Sequence, residues 1–418
     1  MTGALSRPSG TVRSAPRAPT RGRLSESEVR LYGWYLVVVA KLVVVVTFHV
    51  WSLSVGRGGL GPVVIGGDDG DLYLYVAEYI ANTGVAPAYG VYVWPVLVGE
   101  IMAVTGIRGT LVFKAILFVA SLLGAWVGVR LLRRLSADVL RRPAPAFAEV
   151  VVAGALVLFP STLWIASYSI YRDAVIYALA VVAVYAAYEV LVGRKRAYLL
   201  LFVPTVWALF QFRWYAAVAV GVGALLWFPL TGGLRRDALR RLAGVAAVGG
   251  VFAAAVQFGL IGEIQEVIVA REYFEIVGGG SNIGVSYSRS NVATWPFLFL
   301  YSFASNVLGP LPNQISGFNT VVGFVLEIPL LSFVLWRVAR SPVTRQPGPL
   351  LLVSVAVCWF VLIAIYNDNV GTALRLRVFG YQFLFLVAVL DGVARRASPR
   401  LARGSAARAY VRPPAQPA

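Results

Sequence analysis

Residues 31–55 read LYGWYLVVVAKLVVVVTFHVWSLSV, and this stretch decides the class of fold. Lys41 is its only residue with a permanent charge. About 20 consecutive apolar residues are enough for an α-helix to cross the hydrocarbon core of a bilayer. The stretch is also longer than the apolar core of a secretory signal peptide. It therefore predicts a helix that stays in the membrane.

The composition extends this interpretation to the whole chain. Of the 418 residues, 59% are hydrophobic and 13% are charged, and the mean hydropathy is +0.75. A soluble domain carries about a quarter charged residues, so the chain is predicted to be an all-α, polytopic membrane protein. The membrane domain is predicted over 31–393, between two basic cytoplasmic tails at 1–30 and 394–418. The first tail is rich in Arg, Pro, Ser and Thr, which predicts disorder.

Ten apolar stretches are predicted to cross the membrane as helices. They are 31–55, 109–131, 146–168, 173–192, 197–212, 214–230, 242–262, 320–337, 349–366 and 378–393. Two further apolar runs, 91–106 and 294–308, are shorter, and each contains a Trp-Pro step. Both are predicted to lie at the outer interface without crossing.

The basic residues favour this topology. If 91–106 does not cross, the arginine and lysine clusters all fall on one side of the bilayer, which is the positive-inside pattern. Both termini are then cytoplasmic, in the plasma membrane, and the external loops are 56–108 and 263–319. The same pattern accounts for the net charge of +18. The expected partners of this charge are therefore membrane lipids, and no nucleic-acid partner is expected.

Acidic residues are concentrated in the stretch GGDDGDLYLYVAEYIANTG, residues 66–84. A helix is predicted to begin between Asp68 and Asp71 and to end at Gly84. Its polar face would carry the residues Asp71, Tyr75, Glu78 and Asn82, opposite an apolar face with Leu72, Val76 and Ile80. This pattern is typical of an amphipathic helix on the membrane surface. Two interpretations of Asp68 and Asp69 stay open, which are capping of the helix and a functional site.

Three patches carry a resemblance to a known family. They are AYGVYVWPVLVGEIMAVTG (88–106), FPSTLWIASYSIYRDAVIYALA (159–180) and NDNVGTALRLRVFGYQFLFL (367–386). Together with a long first span and an acidic first external loop, they resemble the GT-C superfamily of multi-span glycosyltransferases. These enzymes take sugars from polyprenyl-phosphate carriers.

The resemblance implies an enzyme that transfers a sugar, with inversion, to an envelope glycan or glycolipid acceptor on the extracytoplasmic face. Asp68 or Asp69 would be the general base. Arginines suit the departing phosphate because they are permanently charged and bind it with two N–H groups. The candidate substrate-binding residues are Asp71, Glu78, Arg172, Asp173, Arg213, Arg375 and Arg377. A divalent cation, Mg²⁺ or Mn²⁺, could bridge Asp68 and Asp69 to the phosphate, although the sequence contains no complete ligand set.

Two other classes of function stay open at this point. A lipid-linked polysaccharide polymerase or ligase would depend on external arginines, and on His49, more than on the aspartates. A transporter or flippase would show internal repeats and broken helices at mid-membrane. Lys41 and Glu327, which lie inside predicted spans, are expected to pair with each other as structural contacts, and a proton relay is the alternative.

Overall fold

The structure, a computed structural model, describes residues 24–60, 69–87, 93–163, 170–231, 282–285, 290–315 and 318–409. Within these ranges the chain is almost entirely helical, and the only β-type pairing is an isolated bridge between Asn282 and Asn369. The all-α class predicted from the composition is confirmed for the described residues.

The structure describes twelve α-helices, one of which contains a π-helical turn. They are α1 (Glu26–Ser54), α2 (Asp69–Thr83), α3 (Val93–Thr105), α4 (Thr110–Leu140), α5 (Ala146–Val157), α6 (Asp173–Leu191), α7 (Leu199–Phe212), α8 (Trp214–Thr231), α9 (Trp295–Leu308), α10 (Phe318–Val322, a π-helical turn Gly323–Glu327 and Ile328–Ala339), α11 (Pro347–Tyr366) and α12 (Val370–Ala409). The π-turn ends two residues before Pro329, whose missing N–H cannot continue the regular ladder.

Six of these helices are long and apolar enough to cross a membrane: α1, α4, α6, α10, α11 and α12. The chain is therefore a membrane protein by the length and composition of its helices. Helices α5, α7 and α8, which correspond to predicted spans, are shorter. The predicted span 242–262 lies outside the described residues.

Several helix ends differ from the predicted spans, and two of these differences bear on the polar contacts described below. Helix α5 stops at Val157, well before the predicted end at 168, because the chain bends at Leu158 and Phe159 ahead of Pro160. Helix α12 begins at Val370, eight residues before the predicted span 378–393. Asn369 caps it, since its Oδ1 accepts a hydrogen bond of 3.0 Å from the Thr372 N–H.

The predicted helix α2 is confirmed at both ends, and its faces are confirmed except at Leu72, which was predicted on the apolar face and is 46% exposed. It begins at Asp69 and ends just before Gly84, which has a φ of +69°. Val76 and Ile80 are buried, whereas Asp71 and Asn82 are exposed. Helix α3 packs closely on it, because a Cβ at Gly99 would lie 2.9 Å from the Ala77 carbonyl oxygen. Helices α2 and α3 therefore form a short hairpin.

One end of the bundle carries a layer of buried acids, each held by basic side chains. We call it the basic end. Its three acids, Glu149, Glu189 and Asp391, are nearly fully buried. Their partners are Arg30 and Arg133 on Glu149, Arg134 and Lys195 on Glu189, and Arg337 and Arg395 on Asp391.

A second polar layer lies at the opposite end of the same helices. Asp173 opens α6 and Glu189 is near its close, so the rise of 1.5 Å per residue separates them by about 24 Å. Arg375 and Asp391 on α12 have the same separation. A hydrocarbon core is about 30 Å thick. The two layers are thus spaced as two interfacial layers would be, with apolar packing between them.

We expect the substitution Gly223→Ala in α8 to destabilise the bundle. A Cβ at Gly223 would lie 2.6 Å from the Val355 Cα atom of α11, and backbone cannot move aside as a side chain can. Overpacking of this kind costs about 1–3 kcal/mol. Thermal unfolding of the purified protein in detergent measures the effect. Gly221→Ala is the matched control, since no atom lies within 4 Å of its added Cβ. Equal melting temperatures for the two variants would contradict the close α8–α11 contact.

Candidate functional site

Three charged residues meet at the end of the bundle opposite the basic end. Asp173 is the first residue of α6, Arg213 separates α7 from α8, and Arg375 is in the second turn of α12. Arg213 has an extended conformation, with φ −162° and ψ 94°, which ends α7 and turns the chain into α8. Three separate helix ends thus bring one carboxylate and two guanidinium groups together.

The carboxylate of Asp173 lies between the two arginines. Arg213 Nη1 is 3.1 Å from Asp173 Oδ1, and Arg375 Nη1 is 3.9 Å from Asp173 Oδ2. The Asp173 side chain is 1% exposed and each arginine side chain is 9% exposed. The contact at 3.1 Å is an ion pair without the alignment of a hydrogen bond, so Arg213 Nε and Nη1 have no hydrogen-bond partner among the described residues. Arg213 therefore keeps donors that no described residue accepts from, and the three residues together carry a formal charge of +1.

Aromatic side chains surround this cluster. The Arg375 guanidinium lies 4.2 Å from the ring centre of Tyr171, and that of Arg213 lies 5.5 Å from the ring centre of Tyr215. Tyr215 stacks on Tyr366, the last residue of α11. The Tyr177 hydroxyl donates to the main-chain carbonyl of Arg375. Cation–π contacts of this kind stabilise charges that are partly removed from water.

A polar loop, Asn367–Asn369, follows Tyr366 and joins α11 to α12. Asn367 donates 2.7 Å to Asn306 Oδ1, and Asn306 donates in turn to the Asn367 carbonyl at 3.1 Å. The Ile283 N–H donates 2.6 Å to the carbonyl of Asp368. These bonds fix the start of α12, and with it the position of Arg375.

The hairpin of α2 and α3 lies beside the cluster. Tyr73, buried on α2, is near enough to Arg213 to interact with it electrostatically. On α3, Trp94 Nε1 donates 2.8 Å to the carbonyl of Ile170, three residues before Asp173. Asp69 precedes Tyr73 by one helical turn, about 6 Å along the axis. The start of α2 is thus one helical turn from Tyr73, the residue that interacts with Arg213.

The predicted site residues fall into separate groups. Asp173, Arg213 and Arg375 are brought together, and Arg172 is the residue before α6, next to Asp173. Asp71 is exposed and Glu78 is half-buried on the hairpin. Asp68 and the side chain of Asp69 lie outside the described part of the structure.

Arg377 lies in different surroundings from Arg375. Residues two apart on a helix differ by about 200° in direction, so the two arginines point to opposite sides of α12. Arg377 is fully buried, pairs with Glu327 and donates to the Gly309 carbonyl. Glu327 also accepts two 2.6 Å hydrogen bonds from the N–H and hydroxyl of Ser161.

This arrangement corrects the expected pair of Lys41 with Glu327. The structure pairs Glu327 with Arg377, while Lys41 Nζ lies 3.5 Å from the carbonyl oxygen of Thr162. Both contacts reach the short helical turn that follows the break after α5. Backbone N–H and C=O groups without a partner are costly away from water. The buried side chains of Glu327 and Lys41 supply hydrogen-bond partners to the backbone of Ser161 and Thr162.

Sequence reasoning missed the aromatic residues of the site. Tyr171, Tyr177, Tyr215 and Tyr366 were not predicted to belong to it. A signal was present, because SIYRD places Tyr171 beside Arg172 and FRWY places Trp214 and Tyr215 directly after Arg213. Aromatic residues make up 13% of the chain, however, so this adjacency is weakly selective.

A metal site finds no support in the described residues, which contain no group of three or more potential His, Cys, Asp or Glu ligands. The proposed cation at Asp68 and Asp69 falls on side chains outside that part of the chain. No protein-family model matches the sequence, and neither the curated proteins nor the solved structures contain a match.

Proposed function

We propose that the protein is a membrane glycosyltransferase of the GT-C type, which transfers a sugar from a polyprenyl-phosphate donor to an envelope glycan or glycolipid. The single observation that carries the proposal is the buried group of Asp173, Arg213 and Arg375. The membrane topology follows the ten predicted spans, with both termini cytoplasmic and the site extracytoplasmic, in the plasma membrane.

The charges of this group suit a phosphate. Two guanidinium groups exceed one carboxylate, so a phosphate diester of charge −1 would neutralise the cluster. Asp173 holds both arginines in place before the ligand arrives, which lowers the entropy cost of binding. Arginine offers parallel N–H donors that match two phosphate oxygens. The unused donors of Arg213 are the ones that we assign to the donor phosphate.

The transfer itself is a single displacement. The acceptor hydroxyl oxygen attacks the anomeric carbon, the bond from that carbon to the phosphate oxygen breaks, and the configuration inverts. The hydroxyl proton passes to Asp68 or Asp69, and polyprenyl phosphate leaves with one more negative charge. Arg213 and Arg375 stabilise this developing charge, which strengthens their interaction in the transition state.

The position of the cluster fits a lipid-borne substrate. It lies about 24 Å from the basic end along α6 and α12, at the level expected for the opposite head-group layer. Under the positive-inside rule the basic end is cytoplasmic, which places the cluster outside. Tyr171, Tyr215 and Tyr366 make the surroundings of the cluster aromatic, and aromatic side chains with a hydroxyl suit a sugar, which has apolar and polar faces.

We expect Arg213→Gln to weaken the binding of polyprenyl phosphate by about tenfold to a hundredfold, which corresponds to the loss of a charged hydrogen bond of about 1.5–3 kcal/mol. Arg108→Gln is the control, because Arg108 is exposed in the loop between α3 and α4 and donates only to the Ala81 carbonyl in the described contacts. A titration of the purified protein with a short-chain polyprenyl phosphate measures both affinities.

Mass spectrometry of lipids that co-purify with the wild-type protein tests the substrate class directly. A polyprenyl-phosphate sugar is the expected ligand, and its mass identifies the type of sugar. Equal affinities of Arg213→Gln and Arg108→Gln for polyprenyl phosphate would show that the donor phosphate does not bind at this cluster. Flux of a lipid-linked sugar in proteoliposomes, without a new glycosidic bond, would assign the site to a transporter.

A further inference from the structure

A pocket lies at the basic end of the bundle, far from the candidate site. It has a volume of about 600 Å³, within the range of about 300–1,000 Å³ that is typical of ligand sites. The start of α1, the end of α4 and the loop before α5 form its walls. Its charged lining residues are Arg30, Arg133, Arg141, Arg142 and Glu149.

Glu149 forms the floor of this pocket and is 1% exposed. Arg133 binds it through Nε at 2.8 Å and Nη2 at 2.6 Å, and Arg30 through Nε at 2.7 Å and Nη2 at 3.3 Å. Both arginines thus use two nitrogens on one carboxylate, and the N–H groups of Nη1 remain outside this pairing. Glu149 holds two guanidinium groups in fixed positions.

The loop after α4 adds two more positive charges. Arg141 has a φ of +56°, in the left-handed region that residues other than Gly, Asn and Asp seldom adopt. Arg142 donates 3.0 Å to the Val393 carbonyl, which ties the loop to α12. With four arginines and one glutamate, the pocket has a formal charge of +3.

Apolar side chains continue from the pocket toward the membrane. Leu31 directly follows Arg30 on α1, and Tyr35 follows Leu31 by one helical turn on the same side of the helix. Leu31 is 67% exposed and Tyr35 is 69% exposed. A ligand with a charged head and apolar chains would contact both surfaces, whereas a soluble anion would contact only the pocket.

We propose that this pocket binds the phosphate headgroup of an anionic phospholipid from the leaflet at the basic end. Basic pockets between transmembrane helices at the cytoplasmic side suit such headgroups. The site is distinct from the donor site and does not depend on the proposed transferase activity. A bound headgroup would hold the α4–α5 loop against α12, because Arg142 lines the pocket and also donates to the Val393 carbonyl.

The test compares two arginines with the same backbone conformation. Arg141→Asn removes the charge from the pocket, and asparagine tolerates the left-handed region, so the loop keeps its shape. Arg194→Asn is the matched control, because Arg194 has a φ of +57°, lies in the loop between α6 and α7 and does not line the pocket. Arg141→Lys keeps the charge.

Native mass spectrometry of the full chain, titrated with phosphatidylglycerol, phosphatidylcholine or inorganic phosphate, gives the affinities. We expect wild type to prefer phosphatidylglycerol, Arg141→Asn to bind it about tenfold more weakly, and Arg194→Asn and Arg141→Lys to stay within about twofold of wild type. Equal losses of affinity for phosphatidylglycerol in Arg141→Asn and Arg194→Asn would show that the lipid responds to the overall surface charge and not to this pocket. Displacement of the lipid by a similar concentration of inorganic phosphate would assign the pocket to a soluble anion. Both results would overturn the proposal.

Discussion

Asparagine in place of both Asp68 and Asp69 is expected to lower the turnover number by about 10²–10⁴-fold, the contribution that a general base usually makes. Affinity for the polyprenyl-phosphate donor is expected to change by less than about twofold, because the phosphate is assigned to Arg213 and Arg375. An amide at either position keeps the size of the side chain but does not take the acceptor proton. The two single variants would identify which aspartate acts as the base.

Glu100→Gln is the matched control for this experiment. Glu100 is an exposed acid on α3, in the same hairpin as Asp69, so its loss changes the local charge by the same amount per site. Formation of radiolabelled glycan from a lipid-linked donor measures turnover, and donor binding is measured separately. A double variant with turnover near wild type would contradict the assigned base and would favour the polymerase or ligase class.

The apolar runs predicted which segments are helical but not where several of them end. The ends of α2 were predictable, because aspartates at its start and Gly84 at its end are local signals. The early end of α5 was not. The backbone after it is satisfied by Glu327 and Lys41 from distant helices, which hydropathy along the chain does not reveal.

Helix α12 shows the same limit of hydropathy, but here the helix is longer than predicted, because it begins eight residues earlier. Hydropathy placed its start at residue 378, because two arginines precede the apolar run. Both arginines are nevertheless inside the helix and nearly buried, since each has an acid from another helix as its partner. Charged side chains can thus belong to a buried helix when tertiary contacts compensate them.

The site was partly predictable from the types of residue. Asp173, Arg213 and Arg375 were each predicted, and the structure places both arginines within ion-pair distance of Asp173. Helical geometry alone separates Arg375 from Arg377 by about 200°, but it does not indicate which of them faces α6. That choice depends on packing of α12 against its neighbours.

The other large effect is expected at Arg377, where the predicted change is in stability. Arg377→Met would leave Glu327 buried without its guanidinium partner. Removal of one member of a buried ion pair costs about 3–5 kcal/mol, because the remaining charge is away from water. Arg377 is fully buried, and its pair with Glu327 also satisfies the turn at Ser161. We therefore expect a large fall in melting temperature and in the yield of folded protein.

Arg375→Met is the matched control, two residues away on the same helix. Asp173 would keep Arg213 as its partner, so this variant is expected to be clearly more stable than Arg377→Met while it binds the donor phosphate more weakly. The double variant Arg377→Met with Glu327→Gln should recover part of the lost stability. The glutamine has no charge to bury, and its Oε1 can still accept the hydrogen bonds from Ser161. Thermal unfolding in detergent ranks the three variants. If Arg377→Met melts at the same temperature as Arg375→Met, Arg377 does not hold the bundle together, and its assignment to the substrate, as first predicted from the sequence, becomes the better explanation.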